Sequence, residues 1–238
     1  LAQLQLVTLY SSSGKYRESE ALLKSINKKS IATSLLPNYY ISYREFFEHY
    51  AANSYSPEYR KQIGKYRDSL LSVLDKNTLD YQINRIQQDI FNKKFEKPKS
   101  QLLGLLAKTK QENPQYAMIT YLLASIYKET KQLELQKKYY ALSATADLKT
   151  ANKDNASLQE LALFFYEAND VDMAYKLTQS AIEDALYCNV QFRTLLMSEV
   201  YSIINTVYLE KEAKRKTELQ LYLLCISLLS AFLVVAVI

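Results

Sequence analysis

Apolar residues recur along this chain at helical spacing, and few stretches alternate apolar and polar positions with a period of two. The recurring unit is a helix, a short turn and a second helix, and each turn carries a large apolar residue: Tyr16, Tyr55, Phe95, Leu133 and Val171. These anchors are separated by 39, 40, 38 and 38 residues. Such a period marks an array in which no hairpin can bury its apolar face alone, so stacked neighbours share one elongated core. The pattern predicts an all-α fold of about five helical hairpins over residues 1–186.

The turns carry their own signals. Two residues before each anchor stand Gly14, Asn53, Lys93, Lys131 and Asn169. Gly and Asn tolerate the left-handed conformation that closes a helix, which predicts a sound C-terminal cap in three of the five units. Six residues before the anchors lie Tyr10, His49, Asp89, Tyr127 and Phe165. Ser56-Pro57 and Asn113-Pro114 each pair an N-cap with proline at the first helical position, and Ser157 to Glu160 reads as a capping box.

After the fifth hairpin there is no Gly or Pro, so one helix is expected from about Val190 to the end. Phe192, Leu196, Val200, Ile203 and Val207 recur at steps of four, four, three and four, one apolar face suited to packing on the array. Residues 187–218 form this capping and juxtamembrane section, whose end holds Lys211, Lys214, Arg215 and Lys216 against Glu210, Glu212 and Glu218. From Leu219 to Ile238 twenty residues carry no Asp, Glu, Lys, Arg or His. About 20 apolar residues cross a bilayer core, and residues 219–238 are expected to do so. The apolar run reaches Ile238, so the parent protein is expected to continue beyond it, and Leu1 is expected to follow a removed leader. A continuous helix would link array and bilayer mechanically. A capping helix followed by a tether fits the same pattern.

Composition removes several classes of function. Gly14, Gly64 and Gly104 are the only glycines, too far apart for the phosphate-cradling loops of nucleotide-binding folds. The sole histidine, His49, builds no multi-histidine metal site, and Cys188 and Cys225 make neither a zinc cluster nor a disulfide framework. No cofactor, metal or catalytic activity is expected. The 30 Lys and Arg are interspersed with 25 Asp and Glu along every helix, which predicts a solvated surface and no direct nucleic-acid binding. Asp154, Asn155, Glu183, Asp184, Asn189 and Arg193 cluster near helix ends in and after the fifth unit. They are candidates for a polar recognition patch in which Arg193 grips a partner carboxylate. Ordinary capping and an internal ion pair to Arg193 would use the same residues.

Three units carry a family resemblance. The first reads LVTLYSSSGKYRESEALL, with Tyr10, Gly14, Tyr16 and Leu23 in sequence; the fourth has Ala124 and Tyr127; the fifth has Ala162, Phe165 and Ala174. This resembles the tetratricopeptide repeat (TPR) family, and the resemblance implies a right-handed α-solenoid whose groove binds a protein or peptide. It also makes Tyr10, Gly14, Tyr16, Ala124, Tyr127, Ala162, Phe165 and Ala174 repeat-packing residues. The second unit (Phe46, His49, Glu58, Gln62) and third (Ile86, Asp89, Pro98) depart from the pattern, so atypical helix lengths or packing are expected there.

The combination of array, charged section and span, carried by residues 136–194 (QKKYYALSATADLKTANKDNASLQELALFFYEANDVDMAYKLTQSAIEDALYCNVQFRT), is similar to a group of Bacteroides-type membrane-anchored transcriptional regulators. That resemblance implies a single-pass inner-membrane protein with the repeats on the periplasmic side and a cytoplasmic output beyond the span. A static scaffold tethered to the membrane, or repeats on the cytoplasmic face, is the alternative. Pairing of the charged section with a second copy as a homodimer stays open.

Overall fold

The computed structural model describes the chain except Tyr55, Ser56, Asp154, Val190 and Ile238, and describes only the backbone at Asn53, Ser54, Phe192, Arg193, Leu196 and Val237. Every regular element among the described residues is helical. Five antiparallel pairs follow one another: α1 (Ala2–Ser12) with α2 (Tyr16–Ser25), α3 (Leu36–Ser54) with α4 (Pro57–Val73), α5 (Leu79–Phe91) with α6 (Glu96–Leu106), α7 (Pro114–Glu129) with α8 (Leu133–Lys149), and α9 (Ala156–Glu167) with α10 (Val171–Tyr187). A single long helix, α11 (Gln191–Val237), ends the chain. Two short 3-10 turns, Lys28–Ser30 and Thr33–Leu35, fill the connection between the first and second pairs.

Atypical length is found in the second unit, where α3 is the longest helix of the array, and not in the third, whose helices match those of the first in length. The helices α3 and α4 have 19 and 17 residues, whereas α5 and α6 have 13 and 11. Pro98 lies in the first turn of α6, where its missing N–H would lack an intrahelical partner anyway, so it packs inward without breaking the helix.

The turn within each described unit closes by one mechanism. At the first, Lys15 N–H donates to the Tyr10 carbonyl and Gly14 N–H to that of Ser11. The same pair of bonds joins Lys94 to Asp89 and Lys93 to Ile90, Gln132 to Tyr127 and Lys131 to Lys128, and Asp170 to Phe165 and Asn169 to Tyr166. These are Schellman closures, which require a left-handed residue. Gly14 (φ 77°) and Asn169 (φ 61°) supply it as expected. Lys93 (φ 59°) and Lys131 (φ 56°) adopt the same conformation although their side chains disfavour it, so the cap extends beyond the Gly and Asn units. The hairpin geometry imposes the closure, and residue preference only sets its cost.

The small residues of the fourth and fifth units carry the tightest packing. Ala124, Ala162 and Ala174 are wholly buried, which lets neighbouring helices approach closely, and Tyr127 stacks on Tyr139 at 5.4 Å. Tyr16 meets Tyr50 edge-on at 4.8 Å, while Tyr10 and Phe165 are half-buried. The apolar core falls into two parts. Leu4, Tyr39, Tyr40, Leu70, Val7, Leu23 and Phe46 hold the first two units. A larger cluster, from Ile83 and Ile86 through Leu123, Tyr140 and Leu161 to Met197, runs through units three to five into α11.

Two local expectations need correction. Ser157 does not cap α9: the Asn155 side chain accepts from Leu158 N–H at 3.2 Å, and Ser157 is buried against Ser143 Oγ at 2.7 Å. Asn is as good a cap as Ser and stands two residues earlier, so the helix starts there. On α11 the buried stripe is Met197 and Ile204, flanked by half-buried Val200, Tyr201 and Tyr208, whereas Ile203 points outward. The side chains of Phe192 and Leu196 lie outside the described residues. Asn113 does cap α7, accepting from Gln115 N–H with Pro114 at the first position.

Candidate partner-binding groove and its link to the C-terminal helix

The junction between the two cores is polar, and a groove opens there. Arg44 on α3 donates to Asn84 on α5 at 3.2 Å, Gln88 on α5 donates to Asp68 on α4 at 3.0 Å, and the Arg67 guanidinium lies over the Phe91 ring at 5.3 Å. Glu48 accepts from Arg67 at 2.6 Å and pairs with Arg44 at 3.6 Å. Burial pulls the Arg67 pKa below its ordinary value despite the Glu48 charge, and burial pushes Glu45 up against the opposing pull of Arg44 and Thr8. Arg44 Nε, Arg67 Nε and Gln88 Oε1 are buried without a hydrogen bond among the described residues. Each such atom costs about 1–3 kcal/mol, so this junction is held less firmly than the apolar clusters on either side.

Two adjoining cavities of about 580 and 570 Å³ lie along the junction and share Arg60 and Phe91. One wall is α4, with Arg60, Lys61 and Gly64; the floor is Ile90 and Phe91; the far wall is Tyr121, Ser125, Lys128 and Glu129 of α7, with Tyr140 and Glu160 behind. Gly64 leaves the groove open at its middle, since a Cβ there would only touch Phe91 Cε1 at 3.8 Å. Lys93 pairs with Glu129 and Lys128 with Glu160, both at 2.5 Å. The Tyr140 hydroxyl is pushed well above its usual pKa by burial and by nearby Glu160, so it stays neutral and polar. Aromatic faces beside a few fixed polar groups, in this volume range, are what a ligand pocket offers.

Polar contacts join successive units, from their first helices or, at Lys93, from the turn that follows one. Thr8 donates to Glu45, Arg44 to Asn84, Lys93 to Glu129 and Lys128 to Glu160. His49 makes another, its Nδ1 lying 2.9 Å from Ser11 Oγ.

The helix α11 runs back antiparallel along α10 and then leaves the array. Tyr175 stacks on Tyr208 at 4.0 Å with rings 3° apart, and Tyr201 follows at 6.3 Å. Asp172, in the first turn of α10, accepts from Lys211 at 2.9 Å and from Arg215 at 2.8 Å; Arg215 also donates to Glu212 at 2.6 Å. Those donors hold the Asp172 carboxyl below its usual pKa, and the carboxylates raise that of Arg215. From Lys216 to Ala236 the side chains are exposed, and the most apolar 18-residue stretch has a mean hydropathy of 2.3 with none of it buried. Residues 219–237 give about 28 Å of helix at 1.5 Å per residue, the thickness of a bilayer core. The chain thus carries one candidate membrane span. At its start α11 also meets the first unit: the Gln191 side-chain amide occupies the space that a Cβ on Gly14 would take, and α11 touches α3.

The family profile of the SusR N-terminal TPR domain matches residues 1–199. The chain belongs to the SusR N-terminal TPR domain family. SusR is a membrane-anchored regulator of Bacteroides. No curated protein and no solved structure matches the chain. A TPR fold suggests protein partners and is typically non-enzymatic, and no group of metal-binding side chains occurs among the described residues.

In this SusR-type domain the four described polar candidates, Asn155, Glu183, Asp184 and Asn189, do not line the groove. Asn155 is buried, capping α9 and donating to the Ala144 carbonyl at 3.3 Å. Asp184 is buried and pairs with Lys153 at 2.8 Å, which raises the Lys153 pKa. Glu183 is exposed, and Asn189 takes a left-handed conformation (φ 52°) where α10 ends. Asp154 and the Arg193 side chain lie outside the described residues. The groove residues Arg60, Phe91, Tyr121 and Tyr140 carry no local motif, because the superhelix brings them together across 80 positions of sequence.

Proposed function

We propose that this domain is the sensory, protein-interaction half of a single-pass regulator: it binds a protein or peptide segment in the groove between α4 and α7 and relays the event through α11 to an output region beyond the membrane. The observation that carries this reading is the unbroken helix Gln191–Val237, clamped to the array by Asp172 and Tyr175 and continuing into an exposed apolar run. A ligand contacting both walls of the groove acts on the polar junction between the two cores, where resistance to bending is least. The same curvature positions the first unit against Gln191, so bending the array acts on both ends of the first half of α11.

In this reading the repeats face the periplasm and the span lies in the inner membrane. The test is thiol labelling. Cysteines replacing Lys28 and Lys153, in a chain with Cys188 and Cys225 removed, are probed with a membrane-impermeant reagent in outer-permeabilised cells. Labelling before the inner membrane is opened supports a transmembrane sensor. Labelling only afterwards leaves a cytoplasmic adaptor tethered to the membrane and sinks the sensor reading.

A further inference from the structure

The charges around the groove do not cancel. Lys93 and Lys128 are neutralised by Glu129 and Glu160, and Glu48, which lines the adjoining cavity, is held by Arg67 and Arg44. Arg60 and Lys61 are different: both are exposed on the α4 wall, both line the cavity, and neither has a hydrogen-bond or ion-pair partner among the described residues. The nearest acid along the helix, Glu58, accepts from Gln62 at 3.4 Å. Two uncompensated cations therefore overhang a floor made by the Phe91 ring, with Tyr121 on the opposite wall.

From this we infer that the groove's occupant is an acidic protein segment, which sets its carboxylates on Arg60 and Lys61 and an apolar side chain against Phe91 and Tyr121. The guanidinium of Arg60 offers a two-pronged fork matched to a carboxylate, and the Lys61 ammonium adds a mobile second donor. Arg60 lines both cavities, so a carboxylate held there leaves room for chain on either side. A nucleic-acid backbone would call for a longer stripe of unpaired bases than these two residues provide. The inference rests on the reading of the groove as a partner site and adds the chemistry of the partner.

The experiment uses the 238-residue chain in nanodiscs of neutral phosphatidylcholine as bait for a random peptide display library. Selected peptides are then titrated against the wild type, the Arg60→Gln/Lys61→Gln double variant and Gly64→Leu, which fills the groove from its middle. Both charge changes are on exposed side chains, and Tyr121→Ala serves as a second groove variant should Gly64→Leu unfold the domain. The expected result is enrichment of Asp and Glu beside an apolar residue, with affinity falling about tenfold or more in the double variant and falling with added salt. Peptides whose binding is lost in Gly64→Leu or Tyr121→Ala but unchanged in Arg60→Gln/Lys61→Gln would overturn the acidic partner and leave the groove reading intact. No peptide sensitive to either groove variant would overturn both.

Discussion

Lysine at the left-handed closure of two hairpins makes a quantitative prediction. A residue with a Cβ in this conformation is strained by about 1–2 kcal/mol, and replacing it with glycine removes that strain. Glycine gives back about 0.5–1 kcal/mol through the greater freedom of the unfolded chain. Lys131→Gly should therefore stabilise the domain by about 0.5–1 kcal/mol, and relief of strain at Lys93 should add the same before its ion pair is counted, since the two turns lie in different units. For a domain of this size 1 kcal/mol shifts Tm by about 2–4 °C, so Lys131→Gly should melt roughly 1–4 °C higher. Lys93 also pairs with Glu129 on the surface, worth at most about 1 kcal/mol, so Lys131→Gly is the cleaner of the two. The assay is thermal unfolding followed by circular dichroism in detergent, with Lys138→Gly, an exposed site within α8, as the control, expected to cost about 1 kcal/mol. A fall in Tm for Lys131→Gly comparable to that control would refute the closure geometry.

Other expectations follow from the same contacts. Gly14→Ala should destabilise, opposite in sign to Lys131→Gly, because it combines a positive φ with displacement of the Gln191 amide, and differential scanning fluorimetry reads it directly. Ala162→Leu, at a fully buried position between stacked helices, should cost about 1–3 kcal/mol by overpacking, read as a lower denaturant midpoint with an unchanged slope. The Asp172 carboxyl is held below its usual pKa, so the clamp on α11 is complete above the ordinary carboxylate range and is lost as pH falls through the depressed value; Asp172→Asn should abolish this acid-dependent loosening, followed by amide hydrogen exchange across residues 209–218. Glu45 runs the other way. Its pKa is raised by burial, so its contribution is greatest below the unfolded value and is lost as pH rises through the folded one; Glu45→Gln should flatten that part of the stability profile.

The helical hairpins were legible because a period of 38 to 40 residues repeats a local signal five times, and the junction of array and span because charge ends sharply at Glu218. What the sequence hid has a common cause. The closures at Lys93 and Lys131 and the helix start at Asn155 are decided by how the hairpins pack, and preference yields to that geometry. The outward turn of Ile203 follows from the antiparallel register of α11 on α10, which Tyr175 and Tyr208 fix across 33 residues. The groove is further removed still, since Arg60 and Glu160 line one cavity only through the stacking of the two intervening units. The polar candidates Asn155 and Asp184 stood out in sequence because caps and buried ion pairs use the same residue types as recognition sites.

The central claim is that array and membrane helix move as one body up to Arg215. Spin labels at Lys176 on α10 and Lys216 on α11, in a chain with Cys188 and Cys225 replaced and held in nanodiscs, report it through their distance distribution. The account predicts one narrow distribution for the otherwise wild-type chain, broadened when Asp172→Asn and Tyr175→Ala remove the clamp. A broad distribution before the clamp is touched, or one indifferent to its removal, would contradict it and leave α11 a tether.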